Sequence, residues 1–152
     1  MINISLYDNG QGGRVETKGV NPVITRSLYT EIYIALFGGQ TEKVTTSTPD
    51  TKKIEIGWFG NKPGNERRWV NSQTEAILSG MVITPTNISK LENAIASDLK
   101  QLKKYGETTY TVNVPKPNRI DISVKMVGDN KEYQFVWDNT MKEVIISSKV
   151  KV

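Results

Sequence analysis

"TPTNISKLENAIASDLKQLKKYGETTYTVNVP", Thr84 to Pro115, changes its hydrophobic period midway, and that change decides the fold class. Up to Tyr105 the apolar residues Ile88, Leu91, Ile95, Leu99 and Leu102 recur in steps of three and four, the spacing of one helical face. Thr84 or Thr86 can cap the helix, and Pro85 suits its first turn, where a missing N–H costs nothing. Lys100, Lys103 and Lys104 lie near the negative end of the helix dipole and read as a solvated helix end. Gly106 is expected to take the left-handed C-terminal position. Beyond it the period falls to two, with Tyr110, Val112 and Val114 alternating against polar residues.

The alternation continues downstream. "RIDISVKMV" sets Ile120, Ile122, Val124 and Met126 against Arg119, Asp121, Ser123 and Lys125. "GDNK" then makes a turn, and "EYQFVWD" puts Tyr133, Phe135 and Trp137 on one face. These are consecutive antiparallel strands with one buried face, which need helices to cover it. The final run, "KEVIISSKVKV", has strand propensity and two readings. It is either an ordinary closing strand, or an edge offered to another chain. In the second case Lys149 and Lys151, between Val150 and Val152, discourage promiscuous pairing while leaving the backbone available to a specific partner.

Upstream, Asn21-Pro22 reads as an N-cap with proline at the first helical position, and Gly38-Gly39 as a stop. Ile24, Leu28, Ile32, Ala35 and Leu36 form one stripe between them, which predicts a helix from Pro22 to Phe37. "MINISLY" alternates Ile2, Ile4 and Leu6 as a first strand, "DNGQGG" turns, and "RVET" is a candidate hairpin partner. Gln40 to Lys53 reads as an exposed connection, and Ser72 to Ser79 as a short helix. The resulting expectation is an α+β fold, a mostly antiparallel sheet packed against two main helices at about 22–37 and 85–105. It forms a single domain over the 152 residues, a length that suits one core better than two.

The chain has no cysteine and no histidine. This removes disulfides, the usual zinc sites and every Ser-His or Cys-His pair, leaving carboxylates, Lys, Tyr and Ser as acid-base groups. No phosphate-binding glycine loop is present, since "DNGQGGRVE" lacks the Lys-Ser/Thr of a P-loop. Among the carboxylates, Glu31, Glu55, Glu66 and Glu75 are candidates for a two-carboxylate glycosidase. Glu31 falls on a helix flank, and Glu66 sits beside Arg67 and Arg68, which would lower its pKa where a general acid needs it raised. Neither catalysis nor a metal or other cofactor is expected. The net charge of +4 is spread among acidic residues, so no nucleic-acid partner is expected either. With no signal-peptide pattern and no long apolar run, the sequence reads as a soluble, non-secreted product without a membrane span.

"IEIGWFGNKPGNERRW", Ile54 to Trp69, carries two of the three tryptophans. Trp58 and Trp69 either fill space between helix and sheet or anchor a protein interface, where Trp and Arg are enriched. A base-stacking surface is the other use of such a mixture. In order along the chain, "EIYIALFGG", "GWFGN", "RRWV", the helix from Thr84 and the strands closing on "YQFVWD" resemble the Mu-type phage baseplate proteins. These are related to the sheath-initiator, or lysozyme-like, wedge family of contractile tails. That family commonly has Gly-Trp-Trp-Gly-Asp, and a following Gly-Ser-Arg-Leu-Trp. Here Gly57, Trp58 and Gly60 match, Phe59 replaces the second tryptophan, Asn61 replaces the acid, and Arg68-Trp69 approximates the second motif.

The resemblance spans about residues 20 to 138. It implies a structural virion protein, present in several copies in the tail baseplate of a phage or tailocin and assembled in the bacterial host cytoplasm. Its partners would be other wedge or hub proteins and the tail sheath protein, whose assembly it would initiate. The implied interface residues are Trp58, Phe59, Arg67, Arg68 and Trp69, with Val144, Ile146, Val150 and Val152 on a docking strand at 143–152. Removing that strand is then expected to leave a folded chain that no longer nucleates sheath. A nucleic-acid-binding module and a cell-wall glycosidase are the alternative functions.

Overall fold

A computed structural model describes residues 3–4, 6–8, 13–25, 28–38, 40–41, 55–56, 72–128 and 131–151. The fold is α+β, as the period change at Gly106 requires. Short strands come first: β1 (Asn3–Ile4), β2 (Leu6–Asp8), β3 (Gly13–Val15), β4 (Thr17–Lys18), β5 (Asn21–Pro22) and β6 (Ile24–Thr25). Helix α1 (Tyr29–Phe37), β7 (Gln40–Thr41), β8 (Glu55–Ile56), α2 (Gln73–Gly80) and α3 (Pro85–Leu99) follow. A 3₁₀ turn at Lys100–Tyr105 leads into β9 (Thr108–Lys116), β10 (Arg119–Met126), β11 (Lys131–Asp138) and β12 (Glu143–Lys151).

The last four strands form one antiparallel sheet in the order β12-β11-β10-β9, with neighbours in sequence as neighbours in space. Its register builds continuous apolar rows that are half-buried at β9 and buried at β10 and β11. Val112 stands opposite Ile122 and Ile122 opposite Phe135; in the next row Tyr110 faces Val124 and Val124 faces Tyr133. Ile120, Ile122, Val124 and Met126 are all buried, with Tyr133, Phe135 and Trp137 beside them.

Helix α1 covers this face with an aromatic ladder. Tyr29, Tyr33 and Phe37 recur every four residues, so their rings line one side of the helix. All three pack on Phe135, at ring-centroid distances of 5.8, 6.4 and 5.4 Å. Phe37 also lies nearly parallel to Trp137, at 6.5 Å and 8°. Helix α3 adds Leu91, Ile95, Leu99 and, just past its end, Leu102, all buried in the same core. Thr84 caps α3 by accepting from Asn87 N at 3.3 Å, and Pro85 occupies its first turn.

Two boundaries differ from expectation. The first main helix starts at Tyr29, seven residues after Pro22, because 17–25 form strands. Gly19, at φ +67, turns a small hairpin that pairs Thr17 with Pro22 and Lys18 with Asn21. Ile24 then pairs with Ile4, and the Thr30 hydroxyl donates to Ile4 O at 2.8 Å, tying the first turn of α1 to β1. The four-residue step from Ile24 to Leu28 imitates a helical face, but Ile24 is exposed.

Gly106 does not adopt the left-handed helical conformation. It sits at φ 144, ψ 174, after the 3₁₀ turn has tightened the helix end, in a region essentially reserved for glycine. A Cβ there would also meet Met126 Cγ at 3.4 Å. Gly106→Ala is expected to destabilise the chain by about 1–3 kcal/mol, measured by urea denaturation.

Candidate interaction surface

The interactive parts of a sheet are its unpaired edges. One edge here is β12. It pairs with β11 from Lys131↔Lys151 to Asp138↔Glu143, and the register shifts between Val136 and Trp137. The bulge places Val144 opposite Trp137 and Ile146 opposite Val136, so Ile145 has no direct partner. Strict alternation, which would align Val144, Ile146, Val150 and Val152 on one face, is thereby interrupted. Among the described residues no strand is bonded to the outer side of β12, although the β2 backbone comes within 8 Å of it.

The turn feeding β12 is built by its own side chains. Asp138 Oδ1 accepts from Thr140 N at 2.8 Å and Met141 N at 2.9 Å, closing an Asx-type turn. Lys142 follows at φ 58, its Nζ donating to Met81 O at 3.0 Å and Asn139 Oδ1 at 2.8 Å. The strand therefore begins from a fixed position against the loop between α2 and α3.

Strand β9 is the other edge. Tyr110, on its inner face, donates its hydroxyl to Glu92 O of α3 at 3.0 Å, fixing the gap between helix and strand. Beside it lies an open cavity of about 270 Å³ whose walls include Ala96, Leu99, Lys100, Lys103 and Tyr110.

The interface residues expected from sequence divide into two groups. Trp58, Phe59, Arg67, Arg68 and Trp69 lie outside the described residues, as do Val152 and the Glu66 carboxylate. Ile146 and Val150 are placed by backbone register within β12. Val144 is 4% exposed and belongs to the chain's own core, packed in the cluster that contains Trp137. Strand 143–151 is thus an integral edge of the sheet, and removing it would strip Trp137 and Phe135 of their neighbour strand. A chain shortened at 143 would lose the Val144 packing and the pairing of β11 with β12 as well as any edge contact, so it is expected to lose stability.

A polar element missed by sequence inspection joins the helices. Asp98, 5% exposed, accepts from Gln73 N at 3.1 Å and Thr74 N at 2.8 Å, the first two N–H groups of α2. Ser72, the α2 N-cap, accepts from Glu75 N at 3.2 Å and donates to Leu36 O, one of the carbonyls left over at the end of α1. Burial pushes the Asp98 carboxyl above its ordinary range, with the hydrogen bonds from Thr74, Gln73 and Ser72 acting in the opposite direction. Its signal was the stripe Leu91, Ile95, Asp98, Leu102, in which a carboxylate occupies an apolar position and so needs donors.

Among the described residues no group of three or more acidic residues is arranged to hold a metal ion. No helix among them is long and apolar enough to cross a membrane. Among the described residues the most exposed apolar side chain is Val20, 96% exposed at the tip of the β4–β5 hairpin. Searches of protein-family models, curated proteins and solved structures find no match to this chain.

Proposed function

We propose that this chain is a structural subunit of a contractile-tail baseplate, joining wedge or hub proteins to the first ring of sheath and having no catalytic role. The observation that carries the proposal is the meander sheet: helices cover one face, and neither outer strand is bonded to a further strand among the described residues. Such edges suit a protein that extends its sheet through neighbours in an assembly. The ordered motifs from "ALFGG" through "GWFGN" and "RRW" to the strand block supply the assembly in question, by resemblance.

The interface role falls on the Trp58–Trp69 loop and on the outer backbone edge of β12, while Val144 serves the core. Trp58→Ala and Trp69→Ala are expected to leave the thermal midpoint of the isolated chain within about 2 °C, consistent with substitutions away from a core. They are also expected to lower incorporation into baseplates, read by electron microscopy and by quantifying the chain in purified tails. A fall in midpoint with normal incorporation would assign both tryptophans to the core and remove the loop from the interface. Normal, infective tails assembled without this chain would overturn the structural role itself.

A further inference from the structure

Edge strands in monomeric proteins are usually protected by lysines, prolines or bulges on the strand itself. Strand β12 follows this pattern, with a bulge after Val144 and Lys149 and Lys151 at its far end. Strand β9 does not. From Thr108 to Val114 it reads Thr-Thr-Tyr-Thr-Val-Asn-Val, seven residues without charge or proline, and all its protection (Pro115, Lys116 and the register shift at Arg119/Asp121) is gathered at one end. Five of those residues are β-branched and one is aromatic, the types that pair best in sheets.

The Thr108–Tyr110 end of this unprotected length borders the cavity. Ala96, Leu99 and Tyr110 give it an apolar lining, and the small Ala96 leaves space beneath α3. Lys100 and Lys103, both exposed, stand at the Thr108 end, with Glu107 as the one carboxylate among them. Lys104 is turned to the Tyr105 ring, 4.8 Å from its centroid.

We propose that β9 is a strand-addition site for an extended segment of a partner protein that carries acidic residues at its C-terminal end. The chemistry follows from direction. A fifth strand continuing the antiparallel order runs opposite to β9, so its C-terminal end lies beside Thr108 and meets Lys100 and Lys103. Backbone hydrogen bonds along Thr108–Val114 hold the segment, an alternate apolar side chain enters the cavity, and the lysines select the acidic end. The same geometry disfavours a second copy of this chain as occupant, because an antiparallel β12 would bring Lys149 and Lys151 to the two lysines. The site shares with the baseplate proposal the unpaired edge of β9 among the described residues, but it needs neither the tryptophan loop nor β12, so a failed peptide titration would leave the baseplate reading to those two elements.

The test is an NMR titration of the ¹⁵N-labelled full chain with two capped peptides, Ser-Val-Thr-Leu-Thr-Val-Ser-Asp-Glu and the same peptide ending Lys-Lys. The acidic peptide is expected to shift β9 amides between Thr108 and Val114 and to bind at least about fivefold more tightly than its basic counterpart, a preference of the size two exposed ion pairs give. In Lys100→Glu/Lys103→Glu, whose two sites are solvent-exposed and whose fold is checked by circular dichroism, that preference should reverse. The proposal is overturned if neither peptide moves β9 amides, if shifts fall on β12 instead, or if both peptides bind alike. Concentration-dependent self-association that broadens the β9 amides would overturn it in favour of a second copy.

Discussion

Replacing Phe135 with alanine is expected to destabilise the chain by about 3–5 kcal/mol, the range for a fully buried aromatic that leaves a cavity. The reason for placing it at the top of the range is its position. Phe135 is 1% exposed and contacts three rings of α1, so its removal strips partners from Tyr29, Tyr33 and Phe37 together. The cavity cannot easily collapse, because the neighbouring rows are fixed by β10 on one side and β12 on the other. Phe135→Leu keeps most of the volume and loses the ring contacts, which sets its cost lower, at about 1–2 kcal/mol. Urea denaturation of the two variants separates these terms. A loss below about 1.5 kcal/mol for alanine would mean that α1 is not held to the sheet by its aromatic ladder.

The parts of the fold that could be read from sequence are those where one period runs unbroken against a single surface. Helix α3 and strands β10 and β11 qualify, because each has an apolar front and a back that is polar except for Val136 of β11, and nothing outside them is needed to choose the face. The start of α1 does not qualify. Asn21-Pro22 and the Ile24–Leu28 step fit a helix locally, yet the hairpin turned at Gly19 and the pairing of Ile24 with Ile4 claim the backbone for strands. That competition is long-range, between residues 4 and 24, and leaves no local mark. The bulge at Ile145 has the same character. It breaks alternation in a run that looks regular, and so moves Val144 into the core while shifting the register of Ile146.

The site was less legible than the fold for a related reason. Costly side chains such as tryptophan and arginine mark an interface in the sequence, whereas the edges of this sheet are defined by backbone with no bonded neighbour among the described residues. Strand order fixes which strands those are. For four consecutive antiparallel strands the first and last are the edges, and the difference between them lies in what protects each one. Lys149 and Lys151 mark β12 as a protected edge, whereas the absence of charge from Thr108 to Val114 marks β9.

Asp98 gives the second large effect, and its sign with pH is specific. Asp98→Ala removes the acceptor for the part-buried N–H of Gln73 and the buried N–H of Thr74, at an expected cost of about 2–4 kcal/mol. Asp98→Asn keeps one acceptor oxygen and should cost less. In the wild type, burial raises the folded-state pKa of Asp98 above its ordinary value near 3.8. The folded state therefore holds its proton at pH values where the unfolded chain has released it. The stability linked to this raised pKa is fully present below about 3.8, is lost as pH rises through the folded value, and is constant beyond it. The advantage of wild type over Asp98→Asn, measured by denaturation at closely spaced pH values, is expected to shrink across that window. An advantage that grew with pH would show that the two backbone donors outweigh burial, making Asp98 an ordinary charged helix cap. In either case the carboxylate links α2 to α3, and through Ser72 and Leu36 to α1. A fault there would loosen the helical layer whose aromatic ladder supports the sheet, and with it the edges on which assembly is proposed to depend.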